Sequence, residues 1–450
     1  MNTVFWKQLS LAVFREAVVA PNIRYNGRLP GPLPVTELLA ETVGLAGASL
    51  ARLCGKPVDQ VHVDGRLCAL WGGTSCQTIG WAPPEPWDPL SSIFRGTDGW
   101  IRLHCNAPHH RAAAIRALGG ASTREAVADE ISRQSVAALE ERVVGENGAA
   151  ASMIPWAIWT KHPQGRAVSR TPLVEWDERT IGTACLLRHA DFGSDRPLSG
   201  IKVLDLTRVL AGPVATRTLA GFGAQILRID PEGWDDPGLL QDTTLGKRCA
   251  ELNLTNDTDR NQFEQLLREA DILVHGYRPG ALDGLGYNAA VLDQINPFRI
   301  DVSLSAYGRQ GPWANRRGFD SLVQFSSGIA EICGDADGSP GTLPVQALDH
   351  AAGYLLAAIA LEALRRARAG DIVHARISLA RVSWLLCGGH QIPESSEDVY
   401  PVVETDFEDT LEYSDWGSLK RLRPPLVIPS CPMYWEIPSG GLRRHSPKWS

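Results

Sequence analysis

The sequence predicts an α/β protein in which a doubly wound domain is joined to a smaller α+β region. Three observations carry that reading. From residue 201 onward, short apolar runs alternate with segments of helical periodicity. Eight of the fourteen tryptophans lie before residue 197 and three after residue 390, so the middle is a distinct compositional block. The loop 191–197, Asp-Phe-Gly-Ser-Asp-Arg-Pro, separates that block from what precedes it.

The elements of the block follow in order. Residues 201–206 read as a buried strand, Gly212-Pro213 opens a helix to about 221, and 225–230 is the next strand, which makes one βαβ unit. Residues 249–254 are strand-like, Thr255, Asn256 and Asp257 supply helix-capping side chains, and 262–268 carries an apolar face at helical spacing. A strand at 271–274, a helix at 288–295 stopped by Asn296-Pro297 and a strand at 299–305 complete the alternation. An Ala/Leu-rich helix over 351–367 ends in Arg365, Arg366 and Arg368 before Gly370, as the helix dipole and a glycine stop favour. Before residue 197 the pattern is α+β, with helices at about 36–54, 110–118, 123–133 and 135–144 and a strand over 99–104. After 390 an acidic run gives way to a tail containing Pro and Trp. Three regions are expected: 1–195, 196–390 and 391–450.

Composition narrows the function. The chain has 450 residues, 44 Lys plus Arg against 51 Asp plus Glu and a net charge of −7, so no bulk positive field invites nucleic acid or an anionic membrane. No uninterrupted apolar run approaches the roughly 18 residues that span a bilayer. The nine cysteines, Cys185 among them, are scattered and never fall as C-x-x-C, so neither a disulfide framework nor a zinc knuckle is expected. A reducing cytoplasmic setting is expected, because the opening residues form no convincing secretory signal and Lys-Trp-Ser is not a peroxisomal address.

Residue chemistry narrows it further. The turn after the first strand is Thr207-Arg208-Val209-Leu210-Ala211-Gly212-Pro213, which lacks the G-x-G-x-x-G of a dinucleotide oxidoreductase. His109 and His110 are adjacent and would face different sides of a helix, and no H-E-x-x-H or G-x-S-x-G occurs. No resident metal or cofactor is expected. Asp349 stands at the head of the long helix, and two compatible readings apply. An N-cap carboxylate accepts first-turn N–H groups; a carboxylate pinned beside a cleft can also attack an activated acyl group. Lys247, Arg248 and Arg278 lie beside strand ends, where ligands of such sheets bind, and are candidate phosphate contacts.

Taken together, 197–206 (Pro-Leu-Ser-Gly-Ile-Lys-Val-Leu-Asp-Leu), Leu210-Ala211-Gly212-Pro213, 223–230, Tyr277-Arg278-Pro279-Gly280 and Gly318-Phe319-Asp320 through Ser327-Gly328 resemble the class III CoA-transferases. This family includes formyl-CoA transferase, carnitine CoA-transferase and α-methylacyl-CoA racemase. The resemblance implies a Rossmann-like domain binding coenzyme A, a smaller domain, and a homodimer with interlocked chains. It implies Asp349 as nucleophile, an aspartyl acyl anhydride, an aspartyl-CoA thioester, and capture by a carboxylic acid acceptor. Acyl-CoA enters as substrate. The cradle implied for CoA consists of Leu210, Ala211, Lys247, Arg248, Gly276, Tyr277 and Arg278.

Two departures qualify the resemblance. Many relatives carry Arg where this chain has Gly284, and racemases carry His where it has Phe319, which cannot exchange a substrate α-proton. Transfer is therefore expected over racemisation, with His350 as the possible auxiliary acid–base group of an epimerase alternative. A CoA-binding homologue without catalysis is the third reading. The order is also rearranged: 87–101 and 162–174 resemble the small domain that ordinarily follows the large one, so 1–195 reads as small-domain material and 391–450 as a tail packing against it.

Overall fold

The computed structural model describes residues 3–180, 190–388 and 401–449. Its centre is a seven-stranded sheet. The strands are β1 (Glu175–Thr180), β2 (Lys202–Leu206), β3 (Gln225–Asp230), β4 (Lys247–Glu251), β5 (Ile272–His275), β6 (Ile300–Ser305) and β7 (Asp371–Ser378). Their spatial order is β4-β3-β2-β5-β6-β7-β1; β4 through β7 run parallel, and β1 joins β7 antiparallel. Chain order therefore reverses between β2 and β5, which leaves a crevice beyond their carboxyl ends.

The strands are apolar on both faces because both faces are covered. Alternation sends Val203, Ile226, Ile272 and Val302 to one side, where they pack on α2 (Ala211–Gly221) and α5 (Ala347–Arg368). It sends Leu204, Leu227 and Leu273 to the other, against Phe263, Leu266 and Leu267 of α3 (Asp257–Glu269). β4 begins two residues earlier than its pattern suggests, because buried Lys247 belongs to the strand.

Helix α5 is long and apolar enough to cross a bilayer, yet it is buried along its whole apolar window and serves as the central core helix. It packs along α1 (Val35–Leu53) and α2. Gly353 sets the distance of closest approach: a Cβ there would meet the carbonyl oxygen of Ala211 at 2.5 Å and Val214 at 2.7 Å. At the other end, Arg368 donates to the Leu53 carbonyl at 2.7 Å, so the basic last turn satisfies the end of α1.

Residues 1–195 are not one structural unit. Helix α1 and strand β1 belong to the core around the central sheet, and the separate α+β unit is confined to about residues 90–152. There Ile93–Arg95, Trp100–Leu103 and Ala150–Ser152 form an antiparallel sheet, and Phe94, Ile101, Leu103, Ile131 and Leu139 fill a core of their own. The tail is divided as well. Gly417–Leu422 pairs with Cys76–Thr78 and Leu426–Val427 with His62–Val63, whereas Trp435 donates from its indole to the Arg217 carbonyl of α2. His445 exchanges two hydrogen bonds with the backbone of Cys249 on β4, so both edges of the central sheet are closed by chain from outside the middle block. Cys185 and the first part, 394–400, of the acidic run that extends to Asp415 lie outside the described residues.

Candidate active site

The turn from β2 into α2 is built with unusual closeness. A Cβ on Gly212 would lie 2.2 Å from Thr207, and Val209 is held at φ 66°, a left-handed conformation that a β-branched residue seldom adopts. Beneath it, Asp205 is fully buried and accepts from the Thr207 amide at 2.9 Å, from Thr216 at 2.5 Å and from Lys247 Nζ at 3.1 Å. Lys247 also donates to the Pro213 carbonyl at 3.0 Å. These bonds fix the start of α2 from below, and they hold the Asp205 carboxyl below its usual range despite burial.

Above the turn opens a cleft of about 950 Å³ at the carboxyl ends of β2, β5 and β6. Leu210, Ala211, Gly276, Tyr277, Arg278 and Asp349 all line it. Lys247 and Arg248 do not. Lys247 is consumed by its ion pair with Asp205 under the floor, and Arg248 sits on the outer strand near His445 of the tail. A basic residue in a strand points to one face or the other, and sequence alone left that face open. His350 is likewise outside the cleft: it is buried, its Nδ1 has no hydrogen-bond partner among the described residues, and Arg217 and desolvation lower its pKa to about 3. One residue along a helix turns a side chain by about 100°, so neighbours of Asp349 need not share its face.

Asp349 lies in the first turn of α5 but is not its N-cap, which is Gln346. The capping carboxylate comes from another helix. Asp320, first residue of α4 (Asp320–Ser326), accepts from the Asp349 N–H at 3.0 Å and from the amide of Gln324 at 2.5 Å. The Gln324 carbonyl oxygen in turn accepts from Leu343 N at 2.9 Å. Asp349's side chain is thereby left to face the cleft. Burial and the neighbouring Asp320 carboxylate push its pKa well above the ordinary value, and Asp320 itself is raised to about 6 by burial. Two carboxyl groups this close in a dry site do not both ionise readily.

Several cleft residues carried no sequence signal. Arg208 lies between two rings, its guanidinium carbon 5.1 Å from the Trp234 centroid and 5.3 Å from that of Tyr277. Arg317 lines the wall beside Gly318, where burial and the nearby Arg278 disfavour its charge. From the α+β unit, helix Pro108–Ala117 brings both His109 and His110 to the cleft, although adjacent residues of a helix were expected to face different sides. Burial and the surrounding Arg and His groups lower His110 to about 3, so it is a neutral imidazole. Phe319 stacks on His104 at 3.8 Å and 7° and meets His110 edge-on at 5.6 Å. Among the described residues no cluster of His, Cys, Asp and Glu could hold a metal ion.

A cleft at the switch point of a parallel sheet, with a buried carboxylate and a ring of guanidinium groups, coincides with a family match. The model of CoA-transferase family III matches residues 198–400, which contain Asp349, the tight turn and Arg278. Residues 198–400 belong to CoA-transferase family III. Beyond that span the chain is similar to an acyl-CoA transferase of Gibberella moniliformis, 28% identical over 446 residues that cover 88% of this chain and 77% of that protein. It is also similar to the acetyl-CoA:oxalate CoA-transferase of Acetobacter aceti, 35% identical over 41% of this chain and 51% of that one. The chain thus spans about half the length of that second relative. A crystal structure of a hypothetical protein from Mycobacterium tuberculosis is 30% identical, with a TM-score of 0.39 over 42% of this chain and 56% of that one. In this CoA-transferase family III region, Gly353 and the Asp320 cap are what set Asp349 against the turn at 208–212.

Proposed function

We propose that the protein exchanges CoA between an acyl-CoA and a carboxylic acid, with Asp349 as the nucleophile. The observation that carries this reading is the place of buried Asp349 in the lining of a cleft whose floor is the β2–α2 turn, while Asp320 satisfies the helix end in its place. Acyl-CoA is substrate, and no resident cofactor is required.

In this reading the sheet domain is Rossmann-like in its use: the amides at Leu210 and Ala211 and the start of α2 face phosphate oxygens, with the guanidinium groups of Arg208, Arg278 and Arg317 opposite. The thioester then lies over Asp349. The ionised Asp349 carboxylate adds to the thioester carbonyl carbon, the C–S bond breaks and CoA leaves as thiolate, giving an aspartyl acyl anhydride. The thiolate returns to the aspartyl carbonyl, releasing the first carboxylate and leaving an aspartyl-CoA thioester. The acceptor carboxylate attacks that thioester, and the displaced thiolate takes the new acyl group, which restores Asp349. Every step exchanges one acyl bond for another, so atoms balance without water or metal. His109, His110 and Phe319, contributed by the α+β unit and its contact with α4, border the acyl group and exclude water.

The epimerase alternative loses its auxiliary group, since His350 faces Arg217 and Asp242 rather than the cleft. A homodimer and a cytoplasmic setting are part of the same proposal. The test is intact-protein mass spectrometry after incubation with a panel of acyl-CoAs, read before and after hydroxylamine, which releases CoA from an aspartyl thioester and leaves a hydroxamate. An adduct of CoA size on wild type that is missing from Asp349→Ala supports the reading. CoA binding without any adduct from any donor overturns it in favour of a binding protein, and solvent deuterium at the substrate α-carbon without CoA exchange favours the epimerase.

A further inference from the structure

Two walls of the cleft come from separate parts of the chain. Pro231, Trp234 and Pro237 belong to the loop after β3, whereas Asn106, His109 and His110 belong to the α+β unit. The segment Trp81-Ala82-Pro83-Pro84-Glu85-Pro86-Trp87 leads into that unit and is exposed from 82 to 87. Its three prolines hold φ at about −65° and press the residues before them into extended conformations. It is therefore a semi-rigid spacer rather than a loose linker. Both of its ends are anchored. Trp81 donates from its indole to the Ser418 carbonyl at 2.9 Å and tilts against Trp416 at 6.1 Å. Trp87 meets His104 edge-on at 5.8 Å, and His104 stacks on Phe319, the neighbour of the Asp320 that caps α5.

Pro86 touches both walls. Its carbonyl accepts from Asn106 Nδ2 at 2.8 Å, and Asn106 Oδ1 accepts in turn from Asp88 N at 3.1 Å and from Ser91 Oγ at 2.6 Å. Against it lies Gly238, one residue past Pro237, where a Cβ would stand 2.4 Å from Pro86 Cα and 2.9 Å from its nitrogen. Gly238 has no left-handed φ, so the approach of Pro86, and not the backbone conformation, is what requires glycine there.

We propose that Pro86 and Gly238 form a clasp: by joining the two walls they keep water from the covalent intermediates on Asp349 and so favour transfer over hydrolysis. Both are positioning residues, and the role presupposes the transferase reading of Asp349. Water competes with the acceptor for one bond. Its oxygen adds to the aspartyl carbonyl carbon of the aspartyl-CoA thioester and the C–S bond breaks. CoA leaves as the thiol with one proton of the water, the other proton passes to solvent, and Asp349 is restored as the carboxylate. Transfer conserves the thioester, whereas this leak sets CoA free.

Gly238→Ala is a wedge, since its methyl meets backbone atoms of Pro86 that can only move away. Gly73→Ala, whose methyl meets nothing within 4 Å, is the control. Each full-length protein receives acyl-CoAs from acetyl to benzoyl, with and without carboxylates from formate to glutarate, and chromatography separates free CoA from the new thioester. For the pair that wild type exchanges, the ratio of free to transferred CoA should rise about fivefold or more in Gly238→Ala and keep the wild-type value in Gly73→Ala. Partial unfolding lowers both products together, so the ratio reports opening alone. An unchanged ratio in Gly238→Ala, at whatever total activity, overturns the clasp while the transferase reading stands. Failure of wild type to exchange CoA within any pair strikes the transferase reading itself, and the clasp with it.

Discussion

The amide of Asp349 donates to Asp320 Oδ2 at 3.0 Å, so the carboxylate that caps helix α5 is not the one that the cleft receives. The pairing frees one acid for chemistry and makes the other its electrostatic neighbour. Both carry raised pKa values, and each is therefore a source of pH dependence.

Replacing Asp349 by Asn should abolish the covalent adduct and lower kcat/KM at least about a thousandfold. The same change should stabilise the fold. A carboxyl whose folded pKa exceeds its unfolded value binds more protons folded than unfolded, so its penalty is absent below about pH 4, grows as pH rises and is complete above the folded pKa. Thermal melts should show Asp349→Asn above wild type by about 2 °C or more at pH 8, with the difference vanishing at pH 4. An equal offset at both pH values would contradict this account.

Asp320→Asn keeps an acceptor for the Asp349 amide but removes the neighbouring charge. The acid limb of the kcat/KM profile, which rises as Asp349 ionises, should then move to lower pH in the variant. Steady-state kinetics from pH 5 to 9 measure it, and a limb that stays in place would mean that Asp320 acts only as a cap.

Gly353→Ala tests the packing that locates Asp349. Alanine favours a helix by about 1 kcal/mol over glycine, yet the new methyl would press on the Ala211 carbonyl and Val214. Overpacking costs about 1–3 kcal/mol, so the variant should melt lower, and its activity should fall more than its folded fraction. A rise in Tm with unchanged activity would show that α5 and α2 can separate freely.

Lys247→Met should destabilise the protein by roughly 3–5 kcal/mol, because it leaves Asp205 buried without its cation. The double variant with Asp205→Asn should recover part of that loss. In the fraction that remains folded, CoA affinity measured by calorimetry should stay within about twofold of wild type. A large loss of affinity with little loss of stability would return Lys247 to the cleft.

Much of the central fold was legible because its signals are local. The strands at 225–230 and 300–305 lie where apolar runs suggested, and Asn256 caps its helix as its side chain predicts. β1 was not legible, since Glu-Trp-Asp-Glu-Arg-Thr carries charge on both faces and becomes a strand only by pairing with β7. The site divides in the same way. Asp349, Leu210, Ala211 and Tyr277 belong to contiguous motifs, whereas Arg208's two aromatic neighbours and the two cleft histidines come from distant segments that only tertiary packing unites. The error on Lys247 is instructive: an ammonium beside a strand end resembles a phosphate ligand until Asp205, 42 residues away, is seen to accept it.

The closure of the sheet by β1 also orders events in time. During synthesis β1 and helix α1 leave the ribosome well before β7 and α5, the partners that will cover them. The nascent amino-terminal region therefore waits with an unpaired strand and an apolar helix face until residues 347–378 have been made. Pairings of such long sequence separation form slowly and expose surface that aggregates. Yield in a cell should accordingly depend on chaperone capacity more than on the stability of the finished molecule.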